Sequence, residues 1–409
     1  MIFCYKKILF FTFAKSLYNL TVMKRLNIIA TVLQVISIML LLSGCLRSSS
    51  ADNLESREMS YAGYLAISDS PDGFTSIEVL NPWRKGEILQ RYILVPKGAP
   101  TPENLPKGTL IRTPVERIIV FSSLYYSMID ELGASEKVVG VCDSDYLTDQ
   151  NLIERLRNGL VTDCGNSIAA DIEKIISTKA DLIIVSPFEN SNYGGVEKCG
   201  IPIMEAADYM ESHPLARVEW IKFYGELLCN RRMADSTFNV IKSRYENTKE
   251  SISEYINKTK KERPALMVER KYGSSWGVPG GDSYMSILYS DAGANNIFAS
   301  YKSQGSVQLS FEKVLEQAID ADIWLIKYTS DTNLSYEELK AEYPLYAKFA
   351  PFANRKIFGC NTLKVPYYET IALHPEIILN DLAHIFHPEL FPGYSQKYFF
   401  PLEQSMPSR

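Results

Sequence analysis

Residues 171–186 read DIEKIISTKADLIIVS, and residues 311–326 read FEKVLEQAIDADIWLI. Each phrase runs through Glu-Lys, an amphipathic stretch, Ala-Asp and then a block of large apolar residues. A helical period that passes straight into a short apolar run is half of a βαβ unit. Its strand is covered on both faces and needs no polar alternation. A second echo accompanies the first. MIDELGA (128–134) and ILYSDAGA (287–294) both carry a helical pattern to Gly-Ala, and glycine marks a helix stop. Two echoes in the same order predict two related α/β lobes, each with a parallel sheet covered on both faces.

The segment between the lobes lacks strand signals. In SHPLARVEWIKFYGELLC, Pro214 stands where a helix start tolerates it, and Leu215, Val218, Ile221, Tyr224 and Leu228 recur every three or four residues. A long charged stretch continues to residue 262 and reads as one or two long helices joining the lobes. Ahead of the first lobe, residues 61–113 alternate apolar and turn-rich pieces, with Asp72-Gly73 as a hairpin signal. The expected organisation is a small β prelude at 61–113, an α/β lobe at 114–211, connecting helices at 212–262, a second α/β lobe at 263–395 and a tail at 396–409.

The N-terminus carries an export pattern. From Met23 it has Lys24 and Arg25, an apolar stretch, and Leu42-Ser43-Gly44-Cys45. This ending looks like a bacterial lipobox, which implies that Cys45 is acylated and becomes the first residue of the mature chain. Residues 1–45 are therefore read as a signal peptide with Met23 as its start, and residues 46–60, polar and aperiodic, as a flexible tether. The folded part is expected outside the cytoplasm, held to a membrane by lipid.

The formal net charge of −5 is spread without a long block of either sign, which argues against a nucleic-acid partner. Cysteine usage fits an oxidising compartment. Cys142 and Cys164 stand at two segment ends that could meet as a disulfide, whereas metal ligation lacks a Cys-x-x-Cys or a nearby His. There is no G-x-S-x-G, H-E-x-x-H, Walker or G-x-G-x-x-G motif. Of the four histidines, His384 and His387 lie three apart on the final helix and read as structural, while His213 at a helix start and His374 before a proline read as cap or loop residues.

Aromatic residues at presumed loop positions stand out. Open α/β sheets bind ligands beyond the carboxyl ends of their strands. Those ends carry Tyr125 and Tyr126 after VFSS, Phe188 and Tyr193 after IIVSP, Tyr328 after IWLIK, and Tyr367 and Tyr368 after NTLKVP. The Gly/Ser/Pro-rich stretch ERKYGSSWGVPGGDSYM adds Arg270, Lys271, Tyr272, Trp276, Asp282 and Tyr284. Together they predict a broad, partly apolar cleft for a large planar or chelated ligand.

Lipobox, tether, lobe, helical spacer and lobe, with VVGVCD, IVSPFEN, VPGGDSYM and DAGANNIF, resemble the periplasmic binding proteins of ABC importers, in a form found in Bacteroides-type bacteria. The likeness is to the branch serving iron-siderophore, haem and cobalamin uptake. It spans roughly residues 115–390, and the β prelude is extra to it. It implies an α/β fold of two Rossmann-like lobes with central parallel sheets joined by one long helix. It further implies a monomer without cofactor that captures a metal chelate and delivers it to a permease and its ATPase. Ligand contacts would fall to Tyr125, Tyr126, Phe188, Tyr193, Arg270, Tyr272, Trp276, Tyr284 and Tyr368. In such proteins each lobe docks on the permease through an exposed Glu, for which Glu189 and Glu369 are the positions here. The alternative is an exported enzyme on the same scaffold, with Ser122, Ser123 and Asp282 as the nearest reactive side chains.

Overall fold

The computed structural model describes residues 54–403. The expected signal peptide, the expected lipidation site Cys45, most of the expected tether and the last six residues lie outside that range.

Each lobe is built on a five-stranded sheet. In the first, the order is Ile203–Glu205, Leu182–Val185, Ile118–Val120, Val138–Val141, Thr162–Asp163, parallel throughout. In the second it is Asn295–Asn296, Ala265–Val268, Ile323–Tyr328, Ile357–Asn361, Phe400–Pro401, parallel except for the last strand. The two orders superimpose as one pattern. The first strand of each lobe lies between the strand that follows its first helix and the strand of the repeated phrase.

The repeated residues do the same physical work in both lobes. The helix Ile172–Ser177 is capped by Asp171, and the helix Phe311–Ala318 by Ser310, each side chain accepting from the third helical amide. The Asp of each Ala-Asp pins the following strand to its neighbour. Asp181 accepts the Glu116 amide at 2.9 Å and donates its own to the Arg117 carbonyl at 2.7 Å. Asp322 accepts the Ala265 amide at 2.7 Å and donates to the Ala265 carbonyl at 2.9 Å. The Gly-Ala echo is a helix stop in both lobes. Gly133 and Gly293 take φ of +68° and +88°. Ala134 and Ala294 then donate back to Ile129 and Tyr289, at 3.1 and 3.0 Å, which closes the left-handed glycine cap.

The helices Pro214–Glu219 and Ile221–Leu227 lead into Arg231–Thr259, whose 29 residues span about 44 Å. This helix packs on both lobes, placing Phe238 and Ile241 in the first core and Tyr245 in the second. A second bridge faces it. The helix Tyr367–Leu373 of the second lobe buries Leu373 in the first lobe's core. Beside it, Ser123 donates to Glu369 at 2.9 Å and His374 lies 3.4 Å from Glu131.

Three boundaries differ from the sequence expectation. The end of the tether is fixed, since Glu55–Ser56 pairs with Leu65–Asp69 and Arg57 lies between Asp69 and Glu226 at 2.8 and 2.7 Å. The five-stranded N-terminal sheet is no separate module, because Leu65, Ile77, Tyr92 and Ile111 share one core with the first lobe. The start of the tail is likewise structural, with Phe399 fully buried and Phe400–Pro401 completing the second sheet.

The N-terminal segment is tied to the connecting helices by two buried carboxylates. Glu219 accepts the amides of Ser60, Tyr61 and Ala62 at 2.7–2.9 Å and pairs with Lys222 at 2.8 Å. Glu211 accepts the amides of Gly63 and Tyr64 and the Trp220 indole N–H, at 2.9–3.0 Å. Tyr61 packs against both lobes' cores, stacks on His213 at 4.8 Å and donates to Glu246 of the long helix at 2.5 Å.

Candidate functional site

Two cavities open at the carboxyl ends of the strands. One, of about 710 Å³, lies between Tyr209, Met210 and Glu211 on one side and the loops that follow Ala265–Val268 on the other. The second, of about 660 Å³, belongs to the first lobe and is walled by Phe121, Ile168, Ile172, Phe188, Tyr193 and Val196. They adjoin through Tyr209, whose hydroxyl donates to the carbonyl of Pro187 beside Phe188.

Among the described residues, the first-lobe wall carries no charged side chain. Ile168, 95 % exposed, stands on the hairpin Gly165–Ala170, and Phe188, 53 % exposed, meets Tyr193 edge-on at 6.2 Å. Tyr193 donates to Glu205 at 2.8 Å. Glu205 is buried at the end of its strand, which pushes its carboxyl up, and its second oxygen has no protein partner.

The second-lobe wall is set by strand parity. In Ser275–Pro279 burial alternates, so Trp276 and Val278 point into the core while Ser275, Gly277 and Pro279 face the cavity. Trp276 is fully buried against Trp324 at 5.8 Å and donates to the Val268 carbonyl at 3.0 Å. Its proposed ligand contact is therefore corrected: the neighbours of the tryptophan, not its indole, form the wall. Tyr272, 91 % exposed at the hairpin tip, and Arg270 line this cavity. Tyr284 borders it too, but its hydroxyl is spent on the Ile371 carbonyl and Arg217 lies over its ring at 5.5 Å.

Glu269 forms the floor with φ of +62°, an uncommon conformation for a residue with a Cβ. It is held by the Trp324 indole N–H on its carbonyl at 2.6 Å and by Lys327 on its carboxylate. Burial opposes the charge on Lys327, but Glu269 more than offsets this and raises its pKa. No sequence signal marks this pair, because neither residue belongs to a motif.

Tyr125 and Tyr126 are also corrected. Ser122 caps a helix at Ser123–Glu131, so both tyrosines lie in its first turn and face the core, fully buried. Tyr125 meets Ser186 at 2.5 Å. Tyr328 is buried as well. Tyr368 is exposed and packs edge-on against Tyr367 at 5.4 Å, outside both cavities. Glu189 is an exposed loop residue, and Glu369 is half-buried with one oxygen engaged by Ser123.

Cys142 and Cys164 do come together in one small core, but as free thiols whose pKa values burial raises. Among the described residues, no group of three or more His, Cys, Asp or Glu is placed to hold a metal ion, and no helix is long and apolar enough to cross a membrane. The reactive side chains of the enzyme alternative are committed elsewhere. Ser122 caps a helix, Ser123 binds Glu369, and Asp282 lies 3.6 Å from Lys302. His213 caps the helix Pro214–Glu219, and His387 is buried on the Gly293 carbonyl at 3.1 Å.

Two α/β lobes bridged by a long helix, with cavities at their strand ends and one of these lined from both sides of the helix, define a class of protein that encloses a ligand between domains. A family model for periplasmic binding proteins matches residues 118–362, more than half of the chain, and the chain belongs to that family. Its family is one of ligand-binding proteins of transport rather than enzymes. The chain is 28 % identical to an uncharacterized lipoprotein of Methanocaldococcus jannaschii over 76 % of this chain and 75 % of the relative. Among solved structures it is similar to a periplasmic heme binding protein from Pseudomonas aeruginosa, with a TM-score of 0.54 at 16 % identity, covering 71 % of this chain and 99 % of that one. It is also similar to an ABC-type Fe3+-hydroxamate transport system from Saccharomonospora viridis, with a TM-score of 0.51 at 19 % identity, covering 67 % and 94 %. At these identities the likeness is one of fold.

Proposed function

We propose that this chain is the lipid-anchored, extracytoplasmic binding component of an ABC importer. It captures an intact metal chelate, as a siderophore complex, haem or cobalamin, between its lobes and hands it to a permease driven by an ATPase. The observation that carries this reading is the pair of adjoining cavities, large and mainly aromatic or apolar, at the strand ends of two lobes. Their polar groups are mainly hydroxyls and amides set beside aromatic rings, which suits a ligand arriving with its metal already enclosed. Anchoring falls to Cys45. Docking on the permease falls to Glu189 and Glu369, through charge complementarity with basic residues. The long helix and the second bridge at Tyr367–Leu373 leave room for only small lobe closure.

Titration of the purified protein with ferric siderophores, haemin and cobalamin tests the reading. At least one should bind at micromolar concentration or tighter, and Phe188→Ala should weaken that binding about tenfold with an unchanged melting temperature, as expected for a lost aromatic contact. Binding to none of them would contradict the proposal. For docking, Glu189→Ala should impair uptake with ligand affinity intact.

A further inference from the structure

Among the described residues, the cavity walls hold polarity with a single lining cation, and that cation is paired. The first-lobe wall has, among the described residues, no ionisable side chain other than the Tyr193 phenol, which is turned onto Glu205. Among the described residues, the cations nearest the second-lobe wall are paired with carboxylates, Lys271 excepted. Arg270, the one cation lining the cavity among the described residues, is paired with Glu342. Lys327 beneath it is paired with Glu269, and Lys302 with Asp282 at 3.6 Å. Lys271 turns away onto the Gly273 carbonyl and the Tyr343 ring, 5.1 Å from the ring centre. Glu211 adds a carboxylate to the same cavity, satisfied by the Gly63 and Tyr64 amides and the Trp220 indole.

A polyanionic chelate entering this space would meet a paired Arg270, an apolar first-lobe wall and carboxylates. Desolvating several negative charges there would go uncompensated. An uncharged chelate would instead spread its apolar faces on Phe188, Ile168 and Tyr272 and use the amides and hydroxyls of Gln304, Gln308, Ser275 and Ser306 for orientation.

Resting on the reading of the two cavities as one ligand cleft, we propose that the ligand is a metal chelate of zero net charge, and that Glu342 sets this preference by masking Arg270. Glu342 ends the helix Tyr336–Glu342 and does not itself line the cavity. It is a specificity-determining residue acting through the arginine.

The test is a titration of the full protein with an uncharged ferric trihydroxamate, cyanocobalamin, haemin and a trianionic ferric tricatecholate, at low and high salt. An uncharged probe should bind at least about tenfold more tightly than the trianion, a difference of 1.4 kcal/mol. Its affinity should change less than about twofold with salt, as expected without ion pairing. Glu342→Gln should then improve binding of the trianion about fivefold or more, while the uncharged probe stays within about twofold. Tighter binding of the trianion by the native protein, weakening steeply with salt, would overturn the charge assignment and leave the cleft standing. A Glu342→Gln protein with unaltered preference would remove the masking role. Binding of no probe at all would overturn the cleft and the charge assignment together.

Discussion

His374 joins the lobes through charge, and its contribution should vary with pH in a defined direction. Its ring lies 3.2 Å from Glu376 within its own lobe and 3.4 Å from Glu131 on the first-lobe helix Ser123–Glu131. Burial works against protonation, but hydrogen bonds and charge from Glu131 and Glu376 outweigh it and raise the pKa to about 9. A histidine unfolded in water titrates near 6.5. Because the folded value is the higher one, the added stability is fully present below about pH 6.5 and is lost as pH rises through about 9. At 1.36 kcal/mol per pH unit the whole span is worth about 3 kcal/mol. The ring is a quarter exposed, so screening reduces the expected figure to about 1–2 kcal/mol. The assay is urea unfolding of the native protein and His374→Gln at pH 6, 7.5 and 9. Taking the difference between the two proteins removes every other titrating group. The native protein should lose its advantage progressively across that range. Parallel stability curves from pH 6 to 9 would refute the argument and reduce His374 to a neutral packing residue.

Glu219→Ala leaves the amides of Ser60, Tyr61 and Ala62 without their shared acceptor. It should cost about 3 kcal/mol or more in urea unfolding, and a loss under about 1 kcal/mol would count against the clamp. Trp276→Phe removes the indole bond to the Val268 carbonyl and some packing, for about 1–3 kcal/mol of stability. It should leave ligand affinity within about twofold, since the indole is outside the cavity. Cys142 and Cys164 should resist thiol reagents until the protein unfolds, because burial raises both thiols, that of Cys164 to about 11. A native protein whose mass rises on reduction by the two hydrogens of a disulfide would contradict this.

The duplication was readable because its words recur in the same order at equivalent places in both lobes. The Asp of Ala-Asp binds a neighbouring strand's amide, and the Gly of Gly-Ala takes a left-handed conformation, and both leave a mark in sequence. The placement of the aromatic residues was not readable. Whether Trp276 faces the core or the cavity depends on a one-residue choice of strand parity, and the loop-like composition around it gave no clue to parity. Tyr125 and Tyr126 turned inward because the helix starts at Ser123, one residue after its cap. The tether and tail assignments failed for a different reason. Arg57, Phe399 and Phe400 are fixed by partners far away in sequence, Asp69 and Glu226 for one and the second lobe for the others. Long-range ties of this kind produce no local pattern. The Glu269–Lys327 pair at the cavity floor is equally silent, since its only signature is a positive φ and the meeting of two strand ends.

The central claim is that the ligand sits between the lobes, against both walls. A crystal structure of the protein with its tightest-binding chelate tests this most directly. The account predicts the chelate in contact with Phe188 or Ile168 on one side and with Tyr272 and the 275–279 strand on the other, with Arg270 still paired to Glu342. A chelate bound outside the cleft, or held on one lobe with the opposite wall untouched, would contradict it.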